Sequence, residues 1–550
     1  MTNPRTALRV LGAFGFLLSI AACSPRSLDQ AALHQRLTGL VATPGTSVAG
    51  DALLKRDAVV AFYKERKDQP AWDLGSGAAS IRGAIARIGR DGLTPADYHL
   101  ARIDSLIAQR KGPGGADHDS DLELLLTDAV AAMIDDARYG RVLPASLDST
   151  WNVDPRKGAP PLAEAMARVA QASSPAEGLE KERLDHFIYR GLRDELVRLE
   201  AAAQNGGWRA IPAGRPLVAG ARDPRVAIVR ARLAATGELP ADKAGAPDSS
   251  LYDADLASAV KWFQERHRLD GDGKLDAGTL AAMNVSVEDR IAQVRVNLER
   301  SRWVLPGLEG DFLLVNLPAF KAYLIRGNKN VWETRTQIGK EARQTPSFRA
   351  DMKFVIFNPT WTVPSTILKE DVLAAAGGPE KALAHKRLKV YDRAGKEVDP
   401  SSVDWKSATA ESFPYTLRQD AGPDNALGRA KFMFPNPYDI YLHDTPSREL
   451  FAAEKRTFSS GCIRIADPLG LAQVLLSDQG YDQAKIEQTI AAGKTLQVNL
   501  TTKLSVLIVY WTVSVGASGE IHYAPDVYDR DAPVLAALGG RRRPAAAVAP

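Results

Sequence analysis

From residue 51 to 205, apolar side chains recur every three or four positions, the period of amphipathic helices. The segment Ile81–Ile88 and the longer run from Leu122 to Ala137 carry this spacing most clearly. Residues 222–284 form a second helical unit, in which Val226, Val229, Leu233, Tyr252, Leu256, Val260, Phe263 and Leu280 keep the same period. Residues 287–305 predict an amphipathic helix linking that unit to the next domain. The period then shortens to two. Phe312–Leu317, Lys321–Arg326, Val331–Ile338, Met352–Phe357 and Asp439–Leu442 read as strands, with Gly327 to Asn330 turning the second into the third. Asp467 followed by Pro468 predicts a helix start, an N-cap and a proline at the first helical position, running through Leu476. Leu496–Leu500, Leu504–Val515 and Ile521–Tyr523 add further strands. The pattern predicts a multidomain α+β chain: a helical domain, a small helical module, and a mostly β domain over 310–500, closed by strands within 504–531.

Three segments fall outside these patterns. Residues 24–50 are polar and punctuated by Gly and Pro, which predicts a tether. Residues 362–428 separate strands of the β domain by far more than the usual 4–6 residues, about the median loop length, which predicts a lid or binding element. Residues 541–550 hold only Arg, Pro, Ala and Val, a tail composition that predicts disorder.

The N-terminus carries an address. Arg5 and Arg9 precede thirteen mostly apolar residues, Val10 to Ala22. That is shorter than the roughly 20 needed to cross a bilayer and fits a secretory leader. Ile20-Ala21-Ala22-Cys23 resembles a lipobox, which would make residues 1–23 a signal peptide and Cys23 a lipidation site. An ordinary signal peptide cut near Ala22, or a short retained anchor, are the other readings. Ser24 after the cysteine resembles the outer-membrane default of Gram-negative lipoproteins, so the expected location is the periplasm, lipid-anchored. Net charge is only +4 over 550 residues, which argues against nucleic acid as a partner. Two cysteines exclude a disulfide scaffold. Asp270 to Asp276 imitates a calcium loop, but position 12 is Ala281 instead of a bidentate Glu, so no metal is expected.

The second cysteine, Cys462, lies nineteen residues after His443. A thiol with an ordinary pKa near 8.5 is only a few per cent ionised at neutral pH and needs a partner to take its proton. His443 at a strand end can do this for Cys462, and Gly461 permits a sharp turn that would let nearby N–H groups, from Ser459 through Cys462, form an oxyanion hole. Taken alone, a lone Cys and a lone His are equally consistent with a buried thiol and a satisfied core imidazole.

The surrounding residues resemble the YkuD-type L,D-transpeptidase signature: a His, fourteen to seventeen residues, then Ser/Thr-His-Gly-Cys, a hydrophobic residue, and Asn or Arg. Here fifteen residues separate His443 from Ser459, and Ser459, Gly461, Cys462 and Ile463 match. Ser460 stands where a second His is usual, and Arg464 takes the last position; both resemble the large YcbB-type branch. Asn358–Pro364, Ala426–Arg429, Tyr441–Pro446 and Tyr528–Asp531 are similar to segments of that branch, and Ala259–Gln264 with Leu269–Gly273 is similar to a small peptidoglycan-binding module. The resemblance implies a scaffold domain over 51–205, a peptidoglycan-binding module over 222–284, and a catalytic domain over 310–500 with a capping insertion at 362–428. It implies no cofactor, and as partners the tetrapeptide stems of peptidoglycan, as donor and acceptor, together with other wall-synthesis proteins. Cys462 is the implied nucleophile and His443 its base, with Arg464, Tyr441 and Trp361 as substrate-binding candidates. Arg464 could equally pair with Asp467 or Asp444, and Tyr441 and Trp361 could be core aromatics. The expected activity is cross-linking of third residues; hydrolysis, lipoprotein attachment or release, and non-catalytic wall binding are the alternatives.

Overall fold

The computed structural model describes residues 28–540, apart from 44, 111–115, 246–247, 249, 309 and 328. The leader with Cys23 and the tail at 541–550 lie outside the described residues.

The N-terminal domain wraps short helices around one long one. Residues 24–50 are not a tether throughout: α1 (Gln30–Ala42) begins at Asp29, whose carboxylate accepts the Ala31 N–H at 2.9 Å. Its Leu33, Leu37 and Leu40 are spaced four and three apart and enter the domain core. The Gly-rich stretch that suggested a tether comes after this helix. The long helix, α2 (Ala116–Tyr139), is buried along most of its length, acidic residues included. Those acids are occupied: Asp128 accepts the N–H groups of Leu54 and Lys55 at 2.7 Å each, and Asp135 pairs with Lys55 and Arg156. The domain ends with α3 (Phe187–Gln204). The small module follows as α4 (Val226–Ala235), α5 (Ala254–Arg266) and α6 (Ala277–Met283), with its own apolar core.

The helix expected as an amphipathic linker is a core element. In α7 (Val287–Val304) every residue from Val296 to Val304 is buried. Its buried ion pair is made internally. Arg302 donates to Glu299 at 2.8 Å and to the Tyr189 hydroxyl on α3 at 3.0 Å, and Glu299 accepts the Val142 N–H at 2.6 Å. A polar helix can be buried in this way when each charge finds a partner, and that pairing leaves no trace in hydrophobic periodicity.

The catalytic-side sheet contains β1 (Phe312–Asn316), β2 (Lys321–Arg326), β3 (Lys329–Gly339), β4 (Phe348–Phe357), β5 (Ala430–Met433), β6 (Leu442–His443), β7 (Thr457–Ser459), β8 (Ile463–Ile465) and β9 (Leu496–Val509). Ladders run β7-β3-β8-β6-β5-β4-β9-β1-β2, and β2 also pairs with β3, so the sheet closes on itself. The helix α8 (Pro468–Leu475) is capped by Asp467, which accepts the Gly470 N–H at 3.0 Å. The expected break near 500–504 is a register irregularity inside one continuous strand, β9. That strand also stops at Val509, short of the expected Val515; Val513–Val515 pairs instead with Ile521–Tyr523 in a separate hairpin. Leu504, Val506 and Ile508 enter the catalytic core while Leu507 and Val509 enter the N-terminal core. With apolar cores on both faces, β9 has no polar face to alternate with, which is why its C-terminal half reads as an unbroken apolar run.

After β9 the chain returns to the N-terminal domain. The hairpin and α9 (Asp531–Gly539) contribute Val513, Val515, Ile521, Tyr523, Val534 and Leu538 to its core. Residues 362–428 make a small antiparallel sheet in the order 361–362, 416–419, 389–391, 397–398, with helical turns at 365–373 and 379–386. The apolar interior of this insertion is continuous with that of the catalytic sheet.

Replacing Arg302 by Met should destabilise the protein by about 3–5 kcal/mol, the range for a buried ion pair broken on one side. Glu299 would be left as an uncompensated buried charge. The check is the shift in chemical-denaturation midpoint, and a change within about 1 kcal/mol would mean that burial of this ion pair does not hold α7 in the core.

Candidate active site

Strands β6 and β8 are parallel neighbours in the register Leu442↔Ile463 and His443↔Arg464. The Ile463 N–H donates to Tyr441 O at 3.1 Å, which carries the register back to Tyr441 beside Cys462. Side chains two apart in a strand share a face, so Tyr441, His443, Cys462 and Arg464 lie together on one side of the sheet. On its other edge β6 pairs with β5 in the register Lys431↔His443, and beyond β8 Arg464 is opposite Gln337 of β3. Lys431, His443, Arg464 and Gln337 thus form one row across four strands.

The Cys462 thiol is half-buried and free. Its Sγ–H donates to Asp439 O at 3.6 Å, and the Tyr441 side chain adjoins it across the β6–β8 pairing. No hydrogen bond joins it to His443 among the described residues. Burial pushes the thiol above its ordinary pKa, while Tyr441, Lys431 and Arg464 each pull it back. His443 is buried, and its Nδ1 faces the Asp444 carbonyl at 2.5 Å. A ring nitrogen against a carbonyl must carry the proton, so Nε2 is left as the basic atom. Burial, then the Arg464 and Lys431 charges, push this imidazole down to about 3.

The carbonyl that orients His443 is itself held. The buried Asp444 carboxylate accepts the Arg429 N–H at 3.0 Å, Arg429 Nε at 3.1 Å and Arg448 Nη1 at 2.9 Å. Gly428, at φ +59°, makes room: a Cβ there would sit 2.5 Å from Asp444 Cβ.

The loop before Cys462 is tied by Ser459, whose hydroxyl accepts the Gly461 N–H at 3.1 Å and donates to Cys462 O at 2.6 Å. The Gly461 N–H, expected in an oxyanion hole, is therefore engaged; the Ser460 and Cys462 N–H groups have no acceptor among the described residues. Gly461 has φ +118°, a conformation L side chains avoid. Its carbonyl accepts from Thr345 Oγ1 at 2.7 Å, and Thr345 is braced by Tyr528, whose hydroxyl accepts the Thr345 N–H at 3.3 Å and donates to Gly339 O at 2.5 Å.

The remaining expected residues divide. Arg464 pairs with neither Asp467 nor Asp444; it donates to Gln337 Oε1 at 3.2 Å. Asp467 is occupied as the cap and by Trp332 Nε1 at 2.9 Å. Trp361 is buried at the root of the insertion, in the core that also holds Tyr441. Ser460 accepts from Arg343 Nη1 at 2.9 Å, and the same guanidinium binds Glu370 and Asp371 of the insertion at 2.7 and 2.6 Å. Lys431, Arg343, Asp444 and Tyr528 were not legible as site residues. Strand alternation could have flagged Lys431, because Ala430 and Phe432 on either side are fully buried.

Comparison with known proteins gives the same division. Residues 57–196 match a family described as "Scaffold domain", 222–283 one described as "Putative peptidoglycan binding domain", and 310–487 the "L,D-transpeptidase catalytic domain". A "Putative L,D-transpeptidase" of Haemophilus influenzae is 34% identical over 247 residues, covering 45% of this chain and 50% of that protein. The chain thus spans about half the length of this curated relative. Two solved structures cover 54% of the chain at 12% and 13% identity: an L,D-transpeptidase (Yku) from Stackebrandtia nassauensis, 97% covered with a TM-score of 0.21, and residues 123–326 of one from Xylanimonas cellulosilytica, 99% covered with a TM-score of 0.17.

With its imidazole held down to about 3, His443 is neutral wherever an unperturbed His, near 6.5, would be titrating. The rate of Cys462 acylation should therefore show no inflection near pH 6.5, the acid-side loss coming instead toward pH 3. Stopped-flow acylation across pH 4–8, a range of about four units around that value, provides the check; an inflection at 6–7 would mean that this imidazole is not desolvated in solution.

Proposed function

Since residues 310–487 form an L,D-transpeptidase catalytic domain behind a peptidoglycan-binding module, we propose that the chain exchanges amide bonds between peptide stems of peptidoglycan through a cysteine acyl-enzyme. The observation that supports this reading is the shared face of Cys462, Tyr441, His443 and Arg464, which sets a thiol, a neutral imidazole and a guanidinium without an ion pair side by side.

In this reaction Cys462 Sγ attacks the carbonyl of the third stem residue. His443 Nε2 takes the thiol proton and hands it to the departing amine of the terminal D-Ala, leaving a thioester. The side-chain amine of a second stem then attacks the thioester, gives up a proton through His443, and restores the thiol with a cross-link between third residues. The free N–H groups of Ser460 and Cys462 are suited to the oxyanion of both tetrahedral intermediates. Arg464 can bind a stem carboxylate, a geometry for which a guanidinium is well shaped. The insertion acts as a lid: Arg343 ties its acidic residues to Ser460, two residues from the nucleophile. Excluding water there would favour an amine acceptor over hydrolysis.

We also infer that the chain works in the periplasm from a lipid anchor at Cys23, on the lipobox-like Ile20–Cys23 and the short apolar leader before it. Cys23→Ser should then release the protein from the membrane fraction or stall its processing. Equal membrane recovery of that variant rules the anchor out.

Mass spectrometry of disaccharide-tetrapeptide incubated with the enzyme separates the activities. Cross-linked dimer is expected, with none from Cys462→Ala and at least about 10²-fold less from His443→Ala, the low end for a general acid–base residue. Arg343→Ala should move product from dimer toward the hydrolysed tripeptide. Tripeptide alone from the wild-type chain would identify a carboxypeptidase, and unchanged substrate a wall-binding protein.

A further inference from the structure

A cysteine nucleophile is often ionised by passing its proton to a neighbouring histidine, the two then standing as thiolate and imidazolium. The surroundings here oppose that resting pair. His443 is buried, it makes no hydrogen bond to Cys462 among the described residues, and two cations, Lys431 and Arg464, adjoin it in the strand register. A positive imidazole would be a third like charge in a desolvated row.

The same two cations have no counter-ion. Neither Lys431 nor Arg464 forms an ion pair among the described residues; Arg464 is committed to Gln337, and the acid that Lys431 senses, Asp439, is exposed. Lys431 is half-buried, and its Nζ sits 3.8 Å from the centre of the Tyr441 ring. A cation over a phenol ring polarises it and strengthens its hydroxyl as a donor. The Tyr441 side chain adjoins Cys462 across the β6–β8 pairing and favours its ionised form.

We propose that Lys431 is a positioning residue for the nucleophile: placed over Tyr441, it supplies the counter-charge of the Cys462 thiolate formed when the thiol loses its proton to solvent. No resting imidazolium is then needed, and His443 Nε2 carries a proton only while passing it on during acyl transfer. The proposal rests on Cys462 being the nucleophile. The groups facing this sulfur are Lys431 from β5, Tyr441 and His443 along β6, Arg464 from β8, Asp439 through its carbonyl, and Trp361 behind Tyr441; Arg343 approaches the loop through Ser460. Of these only Lys431 and Arg464 are cations in electrostatic reach of the thiol. Arg464 is anchored to Gln337, whereas Lys431 is the one seated on the aromatic ring that adjoins the sulfur.

The test is alkylation of the full-length chain by iodoacetamide at pH 5–11, with Cys462 and Cys23 followed as separate peptides by mass spectrometry. No wall substrate is involved, so the outcome does not depend on which acceptor the enzyme uses. Lys431→Met keeps the stem over Tyr441 and removes the charge. It should raise the pH midpoint of Cys462 alkylation by about one unit, roughly a tenfold loss of thiolate at neutral pH. Lys431→Arg should restore most of it. A Lys431→Met midpoint equal to wild type in a protein with unchanged circular dichroism overturns the proposal. So does a shift of the same size in Lys431→Arg, which would mark a packing effect instead of a charge. Lys431→Gln is read in the same way should the Met variant fail to fold. A Cys462 that stays unlabelled at every pH would instead defeat the nucleophile assignment itself.

Discussion

Two rungs of parallel pairing, Leu442 with Ile463 and His443 with Arg464, set the chemistry of this molecule. They join segments about twenty residues apart and fix which side chains share a face. A slip of one residue would send Cys462 to the opposite side from His443 and Tyr441. The register is protected on both sides. Ile463 and Ile465 are fully buried, so β8 cannot shift without exposing them. The positive φ of Gly461, with the Ser459 hydroxyl spanning Gly461 N–H and Cys462 O, brings the chain into β8 at one phase.

The supports of this arrangement come from remote parts of the chain. Asp444 holds the carbonyl that orients His443 and is neutralised by Arg429 and Arg448. Thr345 holds the Gly461 carbonyl and is braced by Tyr528, from the segment that returns to the N-terminal domain. Arg530, two residues on, donates to Gln344 and to Thr345 O, fastening the same loop. The Ser459–Cys462 loop is therefore anchored to the body of the protein through the C-terminal segment, and to the insertion through Arg343.

The sequence made some of this legible and hid the rest for definable reasons. Strand and helix periods located the three domains, and the spacing of His443 and Cys462 marked the pair that the β6–β8 register brings onto one face. Local patterns could not show that α7 is buried, because its Arg302 and Glu299 neutralise each other three residues apart and take their remaining hydrogen bonds from Tyr189 and Val142, far away in sequence. They also missed α1, whose three leucines span only a few turns. Lys431 escaped because a single lysine in a strand reads as solvated until its neighbours across the sheet are known. From its sequence position Ser459 is expected to serve through its backbone in an oxyanion hole; what that position could not show is that its hydroxyl ties the loop.

The return of the chain to its own beginning has a kinetic consequence. The N-terminal core takes Leu33 and Leu37 from one end of the described chain and Val534 and Leu538 from the other, so it closes a loop of about five hundred residues. Contacts of that sequence separation form late, because loop closure must precede their stabilisation. The N-terminal domain is thus made before the catalytic-side sheet and finished after it. Until residues 513–538 are made, its core lacks an apolar flank, and a chain shortened near residue 510 would leave that flank open for good.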